Sequence, residues 1–436
     1  MTSFRLRTRR DQEAVPPPTQ LLDWFGDGGG TVQVHQSLTT GLSAPAVVKD
    51  LFSLAVAVYC ADRVDRRPGT WTRSIDLEIP VRDAHLWSSL ATDLASTLSF
   101  LTGDSWRLQP FRTSEPDSSG HIAADPVDAV CLFSGGLDSF AGALDLLTEG
   151  KKVCLVSHYE GGQAPQRQVL LASRLAQRFG SERVVLRRVF LRPAPPGSGQ
   201  LRPLPDARES STRSRSLLFL ASGLLVAAGY GAGVPLFIPE NGFIGINVPL
   251  TGARKGSLST RTTHPHFMAE LSRCLGGLNI TNRITNPYRY MTKGEMLSSS
   301  KDRETLYRLA RDTLSCAHPE AARFAGRPQG NCGYCFPCLI RRAALHAVGL
   351  DRWEDYSYDA LREAAELRGD RGSDLRAMLR SLYRNAQPID VLRNGPVPAA
   401  ELENYAGVYK RGRVEMLTWM RAANPATNTR RQLPES

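Results

Sequence analysis

The chain has 436 residues, 42% of them hydrophobic and 37 of them glycine, enough to bury a sizeable core and to exclude a disulfide miniprotein, wholesale disorder and a collagen-like repeat. Lys plus Arg number 54 against 43 Asp plus Glu, a formal charge of +11 that favours anionic partners such as nucleotides, carboxylates or nucleic acid. Only seven of the basic residues are lysines, so a lysine inside a motif stands out.

The basic N-terminus, Met1 to Arg10, is followed by no apolar h-region and is not a secretory signal, so a cytoplasmic protein is expected. Residues 46–64 carry apolar side chains at helical spacing, and residues 74–81 alternate strictly, with Ile75, Leu77, Ile79 and Val81 on one face. A second helix over residues 85–100 and a short strand around Trp106 and Leu108 complete an expected N-terminal α+β extension, which residues 112–126 link onward. No catalytic motif falls in residues 1–125. From Val127 apolar strands alternate with helices: strands at 127–133, 153–157, 184–191 and 235–239, and helices from Asp138, over 163–179 and over 212–228. That order predicts an α/β fold with a doubly wound parallel sheet over residues 126–350. The uncharged run from Ser216 to Pro239 is interrupted by Gly229, Gly231, Gly233 and Pro235, which suits a core helix rather than a membrane span. Residues 192–211, polar with five prolines, read as a mobile insertion suited to a lid. A helix follows Leu339 through Arg341, Arg342 and Leu345, and residues 351–436 form an expected helical C-terminal extension, with helices at 359–368 and 373–384 and a frayed tail from Pro425.

Two motifs carry chemistry. Val130 to Phe133 runs into Ser134-Gly135-Gly136-Leu137-Asp138-Ser139, a strand entering a glycine turn that opens a helix. Two glycines let several N–H groups face one oxyanion, the helix N-terminus adds a favourable dipole, and Ser134 and Ser139 add hydroxyls. No lysine follows the glycines and no Gly-x-Gly-x-x-Gly is present, so neither the Walker loop nor the dinucleotide fingerprint applies. The second motif is Cys316, Cys332, Cys335 and Cys338, spaced C-x15-C-x2-C-x2-C. Such bunching argues for metal rather than disulfides; four thiolates suit structural Zn2+, with an iron–sulfur cluster as the alternative. Gly333 permits the tight knuckle. Cys131 and Cys154 fall in predicted buried strands and need no function.

The glycine loop resembles the pyrophosphate loop of the ATP pyrophosphatases, which cleave ATP between the α and β phosphates. In that chemistry positioning and charge neutralisation dominate, and Asp138 is the candidate holder of Mg2+, with a plain helix N-cap as its alternative role. Loop and cysteines together resemble the 7-cyano-7-deazaguanine synthase (QueC) family, over about residues 128–350. Tyr159-Glu160-Gly161-Gly162-Gln163 is similar to the family's Tyr-Gly-Gln segment, and Arg213 to Leu220 to its Arg-Asn-Leu-x-Phe-Leu helix start. Met291 to Met296 matches Thr-Lys-x-Glu, and Asn331 to Ala343 matches the closing Cys-Gly-x-Cys-x-x-Cys-x-x-Arg pattern.

The resemblance implies adenylation of a 7-deazaguanine-type carboxylate followed by displacement of AMP by an amine. It gives Lys293 a phosphate or acyl-adenylate contact, Arg215 a phosphate or carboxylate, and Gln163 a place among the substrate residues; solvated charges are the alternatives for Lys293 and Arg215. The family's Tyr-Pro-Asp-Cys-Arg-type segment is missing. In its place stand Glu240 and Asn241, able to pair with a purine edge, and Thr260, Arg261, Thr262 and His264, which suit an anionic substrate or a plain polar loop. The two extensions make the chain similar to the enlarged QueC-like proteins of bacterial anti-phage operons of the Qat type. That likeness implies ligation to an amine, such as the N-terminus of a partner protein from the same operon. Nitrile synthesis for queuosine-type modification and a non-catalytic ATP-binding scaffold are the competing readings. The arginines are spread along the chain, so direct nucleic-acid binding is not expected.

Overall fold

The computed structural model describes the chain except residues 1, 12–14, 16–17, 25–29, 68–71, 117–123, 199–203, 210–212, 250–260, 328, 364–368, 383 and 424–436. Two sheets organise it. The smaller holds β1 (Thr2–Arg7), β2 (Gln20–Asp23), β4 (Ser74–Val81) and β5 (Ser105–Arg112) in the order β2-β1-β4-β5, every pair parallel. The larger has the order β10-β9-β6-β7-β8-β3, built from β3 (Val32–Gln36), β6 (Ala129–Leu132), β7 (Val153–Tyr159), β8 (Val184–Pro193), β9 (Leu236–Phe237) and β10 (Ile284–Thr285). All its pairs are parallel save β3 with β8.

Alternation along β6 shows why the larger sheet is buried on both sides. Ala129 and Cys131 join one core with Leu137 and Phe140 of α3 (Leu137–Thr148) and Leu171 of α4 (Ala164–Phe179). Val130 and Leu132 join the other with Leu224 of α5 (Arg215–Tyr230) and Leu51 of α1 (Ala46–Val64). Both faces are thus covered by helices, as an internal parallel sheet requires. The chain runs β6, β7, β8 in one direction and returns to β9 on the other side of β6, so the strand order reverses between β6 and β9.

The N-terminal region departs from the expected α+β extension. The four strands of its own sheet are all parallel, with α1 and α2 (Ala84–Thr102) as connections, so it is a second α/β unit. The cause is non-local: β1 and β2 are short, and β1 pairs with β4 some seventy residues later. Nor is it set apart at residue 126, because β3 closes the edge of the larger sheet and α1 shares one core with α5. The described parts of the 192–211 insertion are tied down rather than free: Leu204 is buried, and the Glu209 backbone exchanges hydrogen bonds with Arg63 of α1.

The C-terminal region packs as a layer over the cysteine segment. Trp419, Met416 and Val408 of α12 (Leu402–Ala423) share a core with Leu339 of α10 (Phe336–Ala347) and Phe243 of α6 (Gly242–Ile246). Gly412 makes the close approach possible: a Cβ there would lie 2.3 Å from the Phe243 ring. The helix expected at 373–384 is α11 (Ser373–Leu382), whereas residues 359–363 of the one expected at 359–368 form a turn. Asp359, held by Arg342, accepts the Leu361 N–H there and fixes it, and residues 364–368 lie outside the described residues. The tail from Pro425 also lies outside them. Among the described residues no helix is long and apolar enough to cross a membrane.

Candidate functional site

In open α/β sheets ligands bind beyond the carboxyl ends of the strands where the strand order reverses. Here that place, between β6 and β9, is a cleft of about 330 Å³ lined by Ser134, Gly136, Asp138, Glu240, Lys293 and Ser315, among others. The glycine loop forms its floor. Gly135 sits at φ 82°, a conformation glycine adopts without strain, and Gly136 is extended as the N-cap of α3. Ser134 Oγ accepts the Gly136 N–H at 3.2 Å and Ser315 Oγ accepts that of Leu137 at 3.2 Å. Ser139 Oγ donates to the Gly136 carbonyl at 3.0 Å and lies 3.2 Å from Ser134 Oγ. Serine hydroxyls therefore hold the N–H groups that an incoming oxyanion would take.

Asp138 is the second residue of α3, so the plain N-cap alternative falls away. Its carboxylate is the hub of the cleft. One oxygen pairs with the Lys293 ammonium, and the other accepts both the backbone N–H and the side-chain amide of Asn241, at 3.1 and 2.6 Å. Three separate chain segments converge there, after β6, after β9 and at the start of α8 (Lys293–Ser299). Asn241 also caps α6, accepting the Ile244 N–H. Lys293 is buried rather than solvated and lines the cleft. α12 braces it: Glu415 accepts from the Thr292 hydroxyl and the Gly294 N–H on either side. Glu240, in the same cleft, has its carboxyl pushed up to about 7, by burial first and by the Asp138 charge besides. The Thr263 hydroxyl donates to it.

The four expected metal ligands meet. The Sγ atoms of Cys316, Cys332, Cys335 and Cys338 lie within 4.8 Å of one another, and all four are free thiols. Backbone N–H groups point at the sulfurs, from Cys332 and His318 to Cys316 and from Cys335 to Cys332, which lets them carry thiolate charge. The residues fit a closed tetrahedral ion such as Zn2+. Gly333, at φ 86°, passes so near the Tyr358 carbonyl that a Cβ would come within 2.0 Å of it. The cluster also shapes the cleft, because Cys316 lines it. Arg341 of α10 locks the preceding turn, donating to Thr313 Oγ1 at 2.6 Å and to the Ala310 carbonyl at 2.6 Å, while the Leu314 N–H donates to the Gly135 carbonyl.

Other candidates are placed elsewhere. Arg215 does not line the cleft: its guanidinium donates to His158 Nδ1 at 3.1 Å. Burial, with the Arg215 charge adding to it, holds the His158 imidazole down at about 3, so it is neutral and its Nε2 faces the Leu191 carbonyl. Gln163 ties α4 to the cysteine loop through Pro319 and Gln329. Arg261 turns away, stacking on Phe100 at 4.3 Å and donating to Asn394. His264 is the buried N-cap of α7 (Pro265–Gly277), accepting the His266 N–H and packing on the same Phe100 ring. Of that stretch Thr262 alone lines the cleft, bonded to Ser216 at 2.7 Å, and Thr260 lies outside the described residues.

Ser315, Thr263, Arg341 and Asn331 also adjoin the site; Asn331 and Arg341 fall within the closing cysteine pattern, but no role was attached to any of the four. Ser315 sits 178 positions from its partner Leu137, and its adjacency to Cys316 was the only local signal. Comparison of the chain with protein-family models, with curated proteins and with solved structures gave no match.

Proposed function

We propose that the protein is an ATP-dependent, AMP-forming carbon–nitrogen ligase of the ATP pyrophosphatase kind, similar to the QueC family, acting on a 7-deazaguanine-type carboxylate. One observation carries the reading: the serine–glycine loop, Asp138 and Lys293 meet in one cleft at the reversal of strand order. In this reading the N–H groups of Gly136 and Leu137 exchange their serine partners for phosphate oxygens of ATP. Lys293 releases Asp138 for the triphosphate, and the freed Asp138 carboxylate would hold Mg2+, which would supply charge neutralisation.

The substrate carboxylate attacks the α-phosphorus in line, the bond to the β-phosphate oxygen breaks, and pyrophosphate leaves. An amine then attacks the acyl carbon, AMP departs with the C–O electron pair, and the amine loses a proton. Glu240, protonated at neutral pH in a fraction of molecules, donates to or accepts from a purine-like edge. The amine is the N-terminus of a partner protein in the anti-phage reading.

Incubation with ATP, Mg2+ and 7-carboxy-7-deazaguanine, with ammonia or cell protein as acceptor, is expected to release AMP. Intact-mass spectrometry then separates a free amide or nitrile from a modified protein. Asp138→Asn and Lys293→Met should each lower AMP formation by about 10²–10³-fold while folding and metal content persist. No AMP from the unaltered protein with either acceptor overturns the proposal.

A further inference from the structure

The N-terminal unit carries no sequence motif, yet it holds a cavity larger than the cleft. At about 530 Å³ against about 330 Å³, it falls within the roughly 300–1,000 Å³ range of small-molecule sites. Its position follows from the smaller sheet. Thr8, Trp24, Arg82 and Thr113 all line it, and each is the first residue after one of the four parallel strands β1, β2, β4 and β5. The cavity therefore sits beyond the carboxyl ends of the whole sheet, the edge at which open parallel sheets receive ligands. The first turns of α1 and Leu225 of α5 close it from the larger unit.

Its chemistry differs from that of the cleft. Trp24 and Phe52 meet edge to face, with ring centroids 5.7 Å apart, and form an aromatic wall. The Trp24 indole N–H is buried beneath that wall, so it is the ring surface rather than the N–H that the cavity presents. The charges in the lining balance: Lys49 and Arg82 stand against Asp50 and Glu115, and Arg82 is bound by Asp50 through both its backbone N–H and its guanidinium. A balanced lining does not call for a phosphate, and an aromatic wall calls for a flat ring. Thr39, Gln36 and Ser53 add hydroxyl and amide groups for a polar substituent. We propose that this cavity is a second ligand site, for a neutral heteroaromatic compound of the nucleoside class.

Calorimetric titration of the full chain with adenosine and guanosine tests it. Saturable binding of at least one is expected, no tighter for the corresponding monophosphate, weakened in Trp24→Phe, and lost in Ser53→Trp and Thr39→Trp. These last two fill the cavity from different segments, so one remains informative if the other does not fold. Asp138→Asn, which alters the cleft, should bind as the unaltered chain does. Absence of binding for both nucleosides, binding that survives both filled variants, or binding lost in Asp138→Asn each overturns the proposal.

Discussion

The larger sheet has helices on both faces and a strand order that reverses, so its carboxyl edge opens into a cleft that a glycine turn and a buried ion pair fill with charge. In the smaller sheet Phe4, Leu6, Ile75 and Leu77 face the helices, while the other face carries ion pairs such as Arg5 with Glu78 and Arg7 with Asp23. Its edge is closed by neighbouring loops and walled by aromatic rings. Parallel strands fix where a ligand site lies in both cases, and the residues just past the strand ends fix what it takes. The two also differ in support: the cleft leans on the cysteine cluster, the smaller unit on buried ions.

That contrast can be broken most strongly at the cysteines. Cys335→Ser is expected to lose bound metal and to unfold at a markedly lower temperature, since structural Zn2+ contributes an apparent binding free energy of about 10–16 kcal/mol. Unchanged metal stoichiometry by elemental analysis would remove the cluster as the support of the cleft.

The next largest effect belongs to the smaller unit. Arg73 donates to the Asp62 carbonyl at 2.9 Å and pairs with the buried carboxylates of Asp62 and Asp104, and Asp62 in turn accepts from the Ser214 hydroxyl at the start of α5. Arg73→Ala leaves two carboxylates buried with less compensation and should cost about 3–5 kcal/mol in urea denaturation. A loss below about 1 kcal/mol, the scale of exposed pairs, would mean that the units do not depend on this network.

The smallest effect is a pH slope at the seam between the units. Burial, with Arg261 adding to it, holds His264 down at about 3, well below its ordinary value of 6.5. The unfolded chain takes up a proton there that the folded chain refuses, so the stability His264 confers is full above pH about 6.5 and is lost as the pH falls toward 3. His264→Asn keeps an N-cap acceptor for α7 and removes the titration, so melting temperature should fall less steeply with acid. An unaltered slope would assign acid sensitivity elsewhere, with His158 the first alternative.

Much of this was legible because it is local. Four of the six strands of the larger sheet with their helices, the glycine turn and the cysteine spacing are each written within a few residues. The strands around Phe4 and Leu6 and around Val32 and Val34 were not read: with six and five residues, their short alternation neither marks them out nor names their partners. Arg215, Arg261 and His264 look like anion ligands in sequence, and only tertiary packing turns them onto His158, Phe100 and the start of α7. The spacing of Leu402, Tyr405, Val408, Met416 and Trp419 is helical and fits α12, yet nothing in it tells that Glu415 braces Lys293.

The pairing of β3 with β8 bears on how the chain is made. Val32 meets Pro193 and Gln36 meets Val189, so as synthesis proceeds from the N-terminus an early strand waits for one encoded far downstream. Until β8 and α5 have left the ribosome, the side of α1 that packs on α5 and the open edge of β3 have no cover. The segment from β3 to α1 therefore stays exposed on the nascent chain until β8 and α5 follow, although in the finished molecule α1 is largely buried.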